Sequence, residues 1–109
     1  MTDSLPLVCE PRLDLEPPDV TRATDVARLL ADRTRATIMA MLAGGPHCVC
    51  ELVHATGERE NNVSNHLARL RAAGLVRATR HGSDARFQYY ERDEEACVGA
   101  LARIGKLLV

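Results

Sequence analysis

The most informative part of the sequence is residues 47–76, which read HCVCELVHATGERENNVSNHLARLRAAGLV. In its second half, apolar residues recur at helical spacing, at Val63, Leu67 and Leu70. A shorter helix is predicted before it, from about His47 to Thr56. Because only Gly57-Glu58-Arg59 separates the two segments, this part of the chain predicts a helix-turn-helix motif.

The segments on either side extend this motif into a small domain. Two amphipathic helices are predicted before it, from near Val20 to near Asp32 and from a cap at Asp32 or Thr34 to Gly44-Gly45-Pro46. After the motif, apolar and polar residues alternate as in β-strands at Leu75–Arg80 and Arg86–Tyr90. These two predicted strands flank a turn at Gly82-Ser83-Asp84. A last helix is predicted from about Asp93. The predicted fold class is mainly α with a small β-hairpin, a winged helix-turn-helix.

Composition and charge exclude one class of nucleic-acid binder and divide the chain into two parts. The chain has 109 residues, 46% of them apolar, and a formal net charge of -1, which excludes a binder that depends on overall positive charge. Four of its five prolines lie in the first 18 residues. Residues 1–19 carry one Arg against five acidic residues, so we expect a flexible acidic arm there and a folded domain over residues 20–109.

No signal peptide or membrane span is evident in the sequence, and we expect a cytoplasmic protein without membrane partners. Four cysteines in that compartment are poor candidates for structural disulfides. Metal binding, redox sensing and plain burial remain as explanations for them.

The second helix of the motif has the features of a helix that binds bases in the major groove. Residues 58–90 carry six Arg and three acidic residues, a local charge of +3. At about 100° per residue, the face opposite the apolar residues is small and polar. Asn and Ser side chains there can bond to base edges, and nearby Arg side chains can contact phosphates. The predicted DNA-binding residues are Asn61, Asn62, Ser64, Asn65, Arg69, Arg71, Arg80 and Arg86. We expect His66, on the same helix, to link it to the wing by a hydrogen bond.

Three stretches together resemble the ArsR/SmtB family of metal-responsive repressors. They are Leu30–Arg35, His47–Leu52 and Asn62–Val76, and the resemblance covers roughly residues 20–109. It implies a homodimer that binds a double-stranded operator and releases it when metal binds. We expect the first and last helices to form the dimer interface. The resemblance also places Asn61, Ser64 and Asn65 at base-contacting positions. Asn65 departs from the His common in the family, so the operator sequence is not implied.

Cys48 and Cys50 lie two residues apart, about 200° apart on a helix, and need a third ligand to enclose one ion. The arsenic-sensing branch supplies a third Cys within its motif, where this chain has Val53. The cadmium- and lead-sensing branch supplies an N-terminal Cys from across the dimer, which implies Cys9 here. Three soft thiolates suit As(III), Cd(II) or Pb(II) as the inducer, and neither an organic cofactor nor a small organic substrate is expected.

Several alternatives remain open at this point. Cys97 fits the core or a dimer interface better than a metal site. A redox sensor of the same fold would instead form a disulfide between Cys9 and Cys48 or Cys50. A thiol-dependent enzyme is less compatible with the sequence, because Cys-x-x-Cys and a phosphate-binding glycine loop are absent. We therefore expect no enzymatic activity.

Overall fold

The computed structural model describes residues 17–80 and 88–109. Its elements are α1 (Pro17–Leu30), α2 (Arg33–Leu42), β1 (His47–Cys48), α3 (Val49–Thr56), α4 (Glu60–Ala72), β2 (Val76–Thr79), β3 (Tyr89–Arg92) and α5 (Glu94–Leu108). This is the mainly helical architecture with a small antiparallel sheet that the sequence predicts. Most of the predicted arm, and the predicted turn at Gly82-Ser83-Asp84, lie outside the described residues.

The first helix begins three residues earlier than the sequence pattern indicated, at Pro17 rather than Val20. Proline is tolerated in the first helical turn because the amide groups there have no partner within the helix. The same helix ends at Leu30, before Asp32. Asp32 is the N-cap of α2, and its carboxylate accepts a hydrogen bond from the Arg35 backbone N–H at 3.0 Å.

The predicted start of the third helix at His47 is wrong. His47 and Cys48 instead form β1, which pairs antiparallel with β3 in the register His47↔Tyr90 and Cys48↔Tyr89. The helix α3 starts only at Val49, with Cys48 as an N-cap in extended conformation (φ -85°, ψ 165°). Backbone pairing to a strand far along the chain outweighs the local helical preference of these two residues.

The wing contains the predicted hairpin, with its second strand shifted toward the C-terminus. The sheet has the order β1-β3-β2, and β2 pairs with β3 from Val76↔Arg92 to Thr79↔Tyr89. The second strand is therefore Tyr89–Arg92, whereas the sequence predicted Arg86–Tyr90. Residues 81–87, Arg86 among them, lie outside the described residues.

One apolar core joins the helix-turn-helix to its neighbours. Its largest fully buried side chains are Ile38, Leu52, Val63, Leu67 and Leu70. They come from α2, α3 and α4, so the inward face of α4 is fixed against both preceding helices. The helices α1 and α5 pack against each other beside this core. In the described part of the chain, no helix is both long and apolar enough to span a bilayer.

Candidate nucleic-acid interface and thiol site

The turn between α3 and α4 has the backbone chemistry of a helix-turn-helix. Gly57 ends α3 in the left-handed region (φ 71°), a conformation that a residue with a Cβ rarely adopts. The next residue, Glu58, donates its backbone N–H to the Thr56 hydroxyl at 3.2 Å. These contacts fix the direction in which α4 leaves the turn.

The helix α4 separates its buried and exposed side chains as the sequence predicted. Its apolar residues Val63, Leu67 and Leu70 are buried. The predicted DNA-binding side chains of its first turns, Asn61, Asn62, Ser64 and Asn65, are exposed. Of these, Asn62 donates from its side-chain amide to the Glu58 carboxylate at 3.4 Å. Arg69 and Arg71, in the last turn, are also exposed, so this face carries the donors and positive charge that a DNA duplex requires.

Two arginines of the wing differ in their surroundings. Arg80 follows β2 and is exposed. Arg77 lies within β2, where its Nε contacts a Glu91 carboxylate oxygen at 3.2 Å and its Nη1 lies 3.7 Å from Asp93. Arg77 is thus paired on the sheet, whereas Arg80 is placed at the end of a strand. The predicted contact Arg86 lies outside the described residues.

Cys48 and Cys50 lie at the junction of β1 and α3: Cys48 ends the strand, and Cys50 is in the first turn of the helix. Cys48 is half-buried and Cys50 is exposed, and both are free thiols. Because the Cys48 backbone is extended, the estimate of about 200° between them on one helix does not apply. The Cys48 backbone N–H donates to the Glu51 carboxylate at 3.0 Å. This bond, followed by hydrogen bonding from the Cys48 thiol, lowers the pKa of Glu51 below its ordinary value.

The described residues contain two of the three predicted thiol ligands but not a complete ligand set for an ion. Within residues 17–80 and 88–109, no three His, Cys, Asp or Glu side chains come together to hold an ion. The predicted third ligand, Cys9, lies outside those ranges. Cys97 lies elsewhere, near the start of α5, with its thiol 3.7 Å from the Leu75 carbonyl oxygen. Burial raises the pKa of Cys97, which keeps its thiol protonated.

Among the described residues, His66 contacts α2 and its N-cap, whereas the sequence predicted a hydrogen bond to the wing, part of which (residues 81–87) lies outside the described residues. Its Nδ1 lies 3.1 Å from Nη1 of Arg35, and its Nε2 lies 3.8 Å from the Asp32 carboxylate. Arg35 ends the stretch Leu30–Arg35 that resembles the family, but no contact or role was predicted for its side chain. Nothing in the spacing of the sequence signals this contact, because it joins residues on different helices.

Comparisons with known proteins agree with this geometry. The model of the bacterial regulatory protein arsR family matches residues 32–78. The arsenic resistance transcriptional regulator ArsR1 of Pseudomonas putida is 45% identical over 58 residues, which is 52% of this chain and 45% of that protein. The HTH-type transcriptional regulator CmtR of Mycobacterium tuberculosis is 35% identical over 79 residues, 72% of this chain and 67% of that protein.

Solved structures support the same fold. The homodimeric winged helix-turn-helix DNA-binding domain Mb0332 from Mycobacterium bovis has a TM-score of 0.64 and 27% identity, covering 86% of this chain and 85% of that one. NolR from Sinorhizobium fredii has a TM-score of 0.65 and 28% identity, covering 84% and 95%.

The match covers only part of several curated relatives. It spans 45%, 60% and 49% of the lengths of ArsR1, ArsR2 and KmtR. These relatives are named as transcriptional regulators and not as enzymes, in agreement with the expectation that this chain has no enzymatic activity.

Proposed function

Because the chain belongs to the ArsR family of bacterial regulatory proteins, we propose that it is a transcriptional repressor whose inducer is a thiophilic ion. In this proposal a homodimer binds a double-stranded operator and is released when As(III), Cd(II) or Pb(II) binds Cys9, Cys48 and Cys50. Its place of action is the cytoplasm, where the DNA is. The observation that carries the proposal is the exposed polar face of α4, directly opposite its buried apolar face.

The DNA-binding part of the proposal rests on side-chain chemistry. Asn61 and Asn65 are exposed one turn apart on α4, and an Asn amide can bond to adenine through both its donor and its acceptor. Ser64 between them is short enough to let the helix enter the major groove. The exposed Arg69, Arg71 and Arg80 supply positive charge for the phosphates.

Dimerisation is supported by apolar side chains that the single chain leaves in water. On α5, Val98 is 66% exposed, Leu101 70% and Leu108 81%. Val20 on the adjacent α1 is also exposed. Contiguous exposed apolar residues on a soluble domain are typical of an interaction surface. A two-fold dimer through these helices would present two α4 helices to half-sites about 34 Å apart.

The inducer part of the proposal rests on where the two thiols lie. Cys48 and Cys50 provide soft donors, which As(III), Cd(II) and Pb(II) prefer over oxygen ligands. Several relatives are named as regulators of arsenic resistance. Cys9 would add the third thiolate, within one subunit or across the dimer. Because thiols lose protons on binding these ions, the ion also removes the Cys48 S–H donor from Glu51.

A direct titration tests the whole proposal. Duplex DNA selected from a random library by the reduced protein is labelled, and fluorescence anisotropy follows its release by As(III), Cd(II), Pb(II) or Zn(II). Ultraviolet absorption by sulfur-to-metal charge transfer is recorded in the same cuvette. We expect release by a thiophilic ion at the concentration where thiolate absorption rises. Release by an oxidant alone would instead make the cysteines a redox switch, and failure to select DNA would contradict the repressor function.

Mixed dimers test the role of Cys9. A Cys9→Ser subunit and a subunit with both Cys48→Ser and Cys50→Ser are co-purified through different affinity tags. If the site spans the dimer, this mixed dimer retains one complete site and binds one ion per dimer. If each site lies within one subunit, both sites are damaged and tight binding disappears. Unchanged ion binding in the Cys9→Ser homodimer would remove Cys9 from the ligand set.

A further inference from the structure

Four groups meet where the first, second and fourth helices come together, and we call them the helix junction: the Leu29 carbonyl, Asp32, Arg35 and His66. Arg35 of α2 donates from Nε to the Leu29 carbonyl at 2.6 Å, in the last turn of α1. Its Nη1 lies 3.1 Å from Nδ1 of His66 on α4. A single guanidinium therefore bonds to two other helices.

Charge and donor chemistry fix the roles of the two ring nitrogens of His66. A guanidinium has only N–H donors, so Nδ1 of His66 must accept, and the neutral ring carries its proton on Nε2. That proton faces the Asp32 carboxylate, whose oxygen lies 3.8 Å from Nε2. Asp32 also caps α2 by accepting the Arg35 backbone N–H at 3.0 Å.

The position of His66 on α4 makes this contact relevant to DNA. His66 directly follows the exposed Ser64 and Asn65 and is itself half-buried. The buried Val63 and Leu67 next to it fix the depth of the helix against the core. Apolar packing is not directional, whereas the hydrogen bond to Arg35 has a preferred direction and so restricts rotation of α4 about its own axis.

We propose that Arg35 and His66 are positioning residues that set the orientation of α4 relative to α1 and α2. This inference rests on the proposed function, since the orientation matters when two α4 helices of a dimer must match two half-sites. Neither side chain needs to touch DNA. Their loss is expected to reduce the preference for the selected sequence and to leave general attraction to DNA almost unchanged.

Four variants separate positioning from folding. Arg35→Lys keeps the positive charge but loses the fork that reaches two helices. His66→Leu removes the acceptor, whereas His66→Asn keeps an oxygen close to the position of Nδ1. Arg33→Lys is the matched control, because Arg33 is an exposed arginine on the same helix. Each variant is measured for its dissociation constants with the selected duplex and with an unrelated duplex of equal length, and for its thermal midpoint.

Selectivity is the dissociation constant for the unrelated duplex divided by that for the selected duplex. We expect Arg35→Lys and His66→Leu to lower this ratio about tenfold, equivalent to about 1.4 kcal/mol. The selectivity of His66→Asn is expected to stay within about threefold of the wild-type value, and that of Arg33→Lys to equal the wild-type value. Unchanged selectivity in folded Arg35→Lys would overturn the inference, as would equal losses in His66→Asn and His66→Leu.

A second measurement needs neither a variant nor DNA. In nitrogen-15 NMR spectra of the wild type at pH 8, Nδ1 of His66 is expected to be unprotonated and Nε2 protonated; the opposite tautomer would overturn the inference. Failure of the wild type to prefer any duplex would refute the proposed function and this role together. If the wild type prefers the selected duplex but the variants do not lose that preference as predicted, the positioning role alone is refuted.

Discussion

Replacing Cys48 with Ser separates its structural role from its proposed chemical role. Cys48 is the N-cap of α3, with an extended backbone and its N–H bonded to Glu51 at 3.0 Å. Sulfur is a weak hydrogen-bond acceptor, whereas the Ser hydroxyl is among the best N-cap groups. The substitution changes one atom and preserves the backbone contact to Glu51. We therefore expect Cys48→Ser to stabilise the domain by about 0.5–1 kcal/mol.

This gain is large enough to measure. For a domain of this size it corresponds to a rise of about 2–8 °C in the thermal midpoint. Cys50→Ser is the matched control, because Cys50 is exposed in the first turn of the same helix and its replacement should change stability by less than about 0.5 kcal/mol. Both variants are expected to bind the selected DNA as the wild type does and to resist release by the inducing ion.

The assay combines thermal unfolding with ion titration of the DNA complex. Unfolding is followed by circular dichroism under reducing, metal-free conditions and at one total protein concentration, because the midpoint of a dimer depends on concentration. A lower midpoint for Cys48→Ser would refute the capping argument. Release of its DNA at the wild-type ion concentration would refute the ligand assignment, whatever the midpoint. Loss of DNA binding by the folded variant would contradict the proposed separation of the two sites.

Three further predictions concern stability and thiol chemistry. Leu67 is 1% exposed, so Leu67→Ala should cost about 2–5 kcal/mol in urea unfolding, and a loss below about 1 kcal/mol would contradict its place in the core. Hydrogen bonding, mainly from the Arg35 backbone, lowers the pKa of Asp32. The stabilising effect of the Asp32 carboxylate is therefore complete above the ordinary pKa of about 3.9 and is lost as pH falls through the lower pKa of the folded state. Asp32→Asn should flatten the fall in the free energy of unfolding below about pH 4. An unchanged dependence of that free energy on pH would argue against this role of Asp32. Burial raises the pKa of Cys97, so iodoacetamide should label Cys97 more slowly than exposed Cys50 at pH 8, as mass spectrometry of the peptides can show.

Local periodicity made most of the fold predictable. The i, i+4, i+7 pattern of Val63, Leu67 and Leu70 identified α4 and its buried face, and these side chains are buried. The strand β1 was not predictable in this way, because its two residues become a strand only by pairing with Tyr89 and Tyr90. A strand that short has no period of its own, and the apolar residues after it resemble a helix from His47 onward.

The same distinction applies to the candidate site. The exposed face of α4 follows from helix geometry alone, so its polar residues could be named from the sequence. The contact between Arg35 and His66 joins positions 31 residues apart, and neither residue type at its own position indicates the partner. The surroundings of Cys48 likewise depend on β3, so the geometry of the two thiols could not be derived from their spacing.

The position of Cys48 explains how a small local change could be sufficient for release. Cys48 belongs to the strand that pairs with β3 of the wing and also caps α3, and α3 packs against α4. Allosteric coupling of about 1–3 kcal/mol, or 5- to 150-fold in affinity, is typical. A net backbone hydrogen bond is worth about 0.5–1.5 kcal/mol. Weakening one or two backbone bonds of β1, or the bond from the Cys48 N–H to Glu51, would be of the same magnitude as such a coupling. The proposed release therefore does not require a large rearrangement of the core.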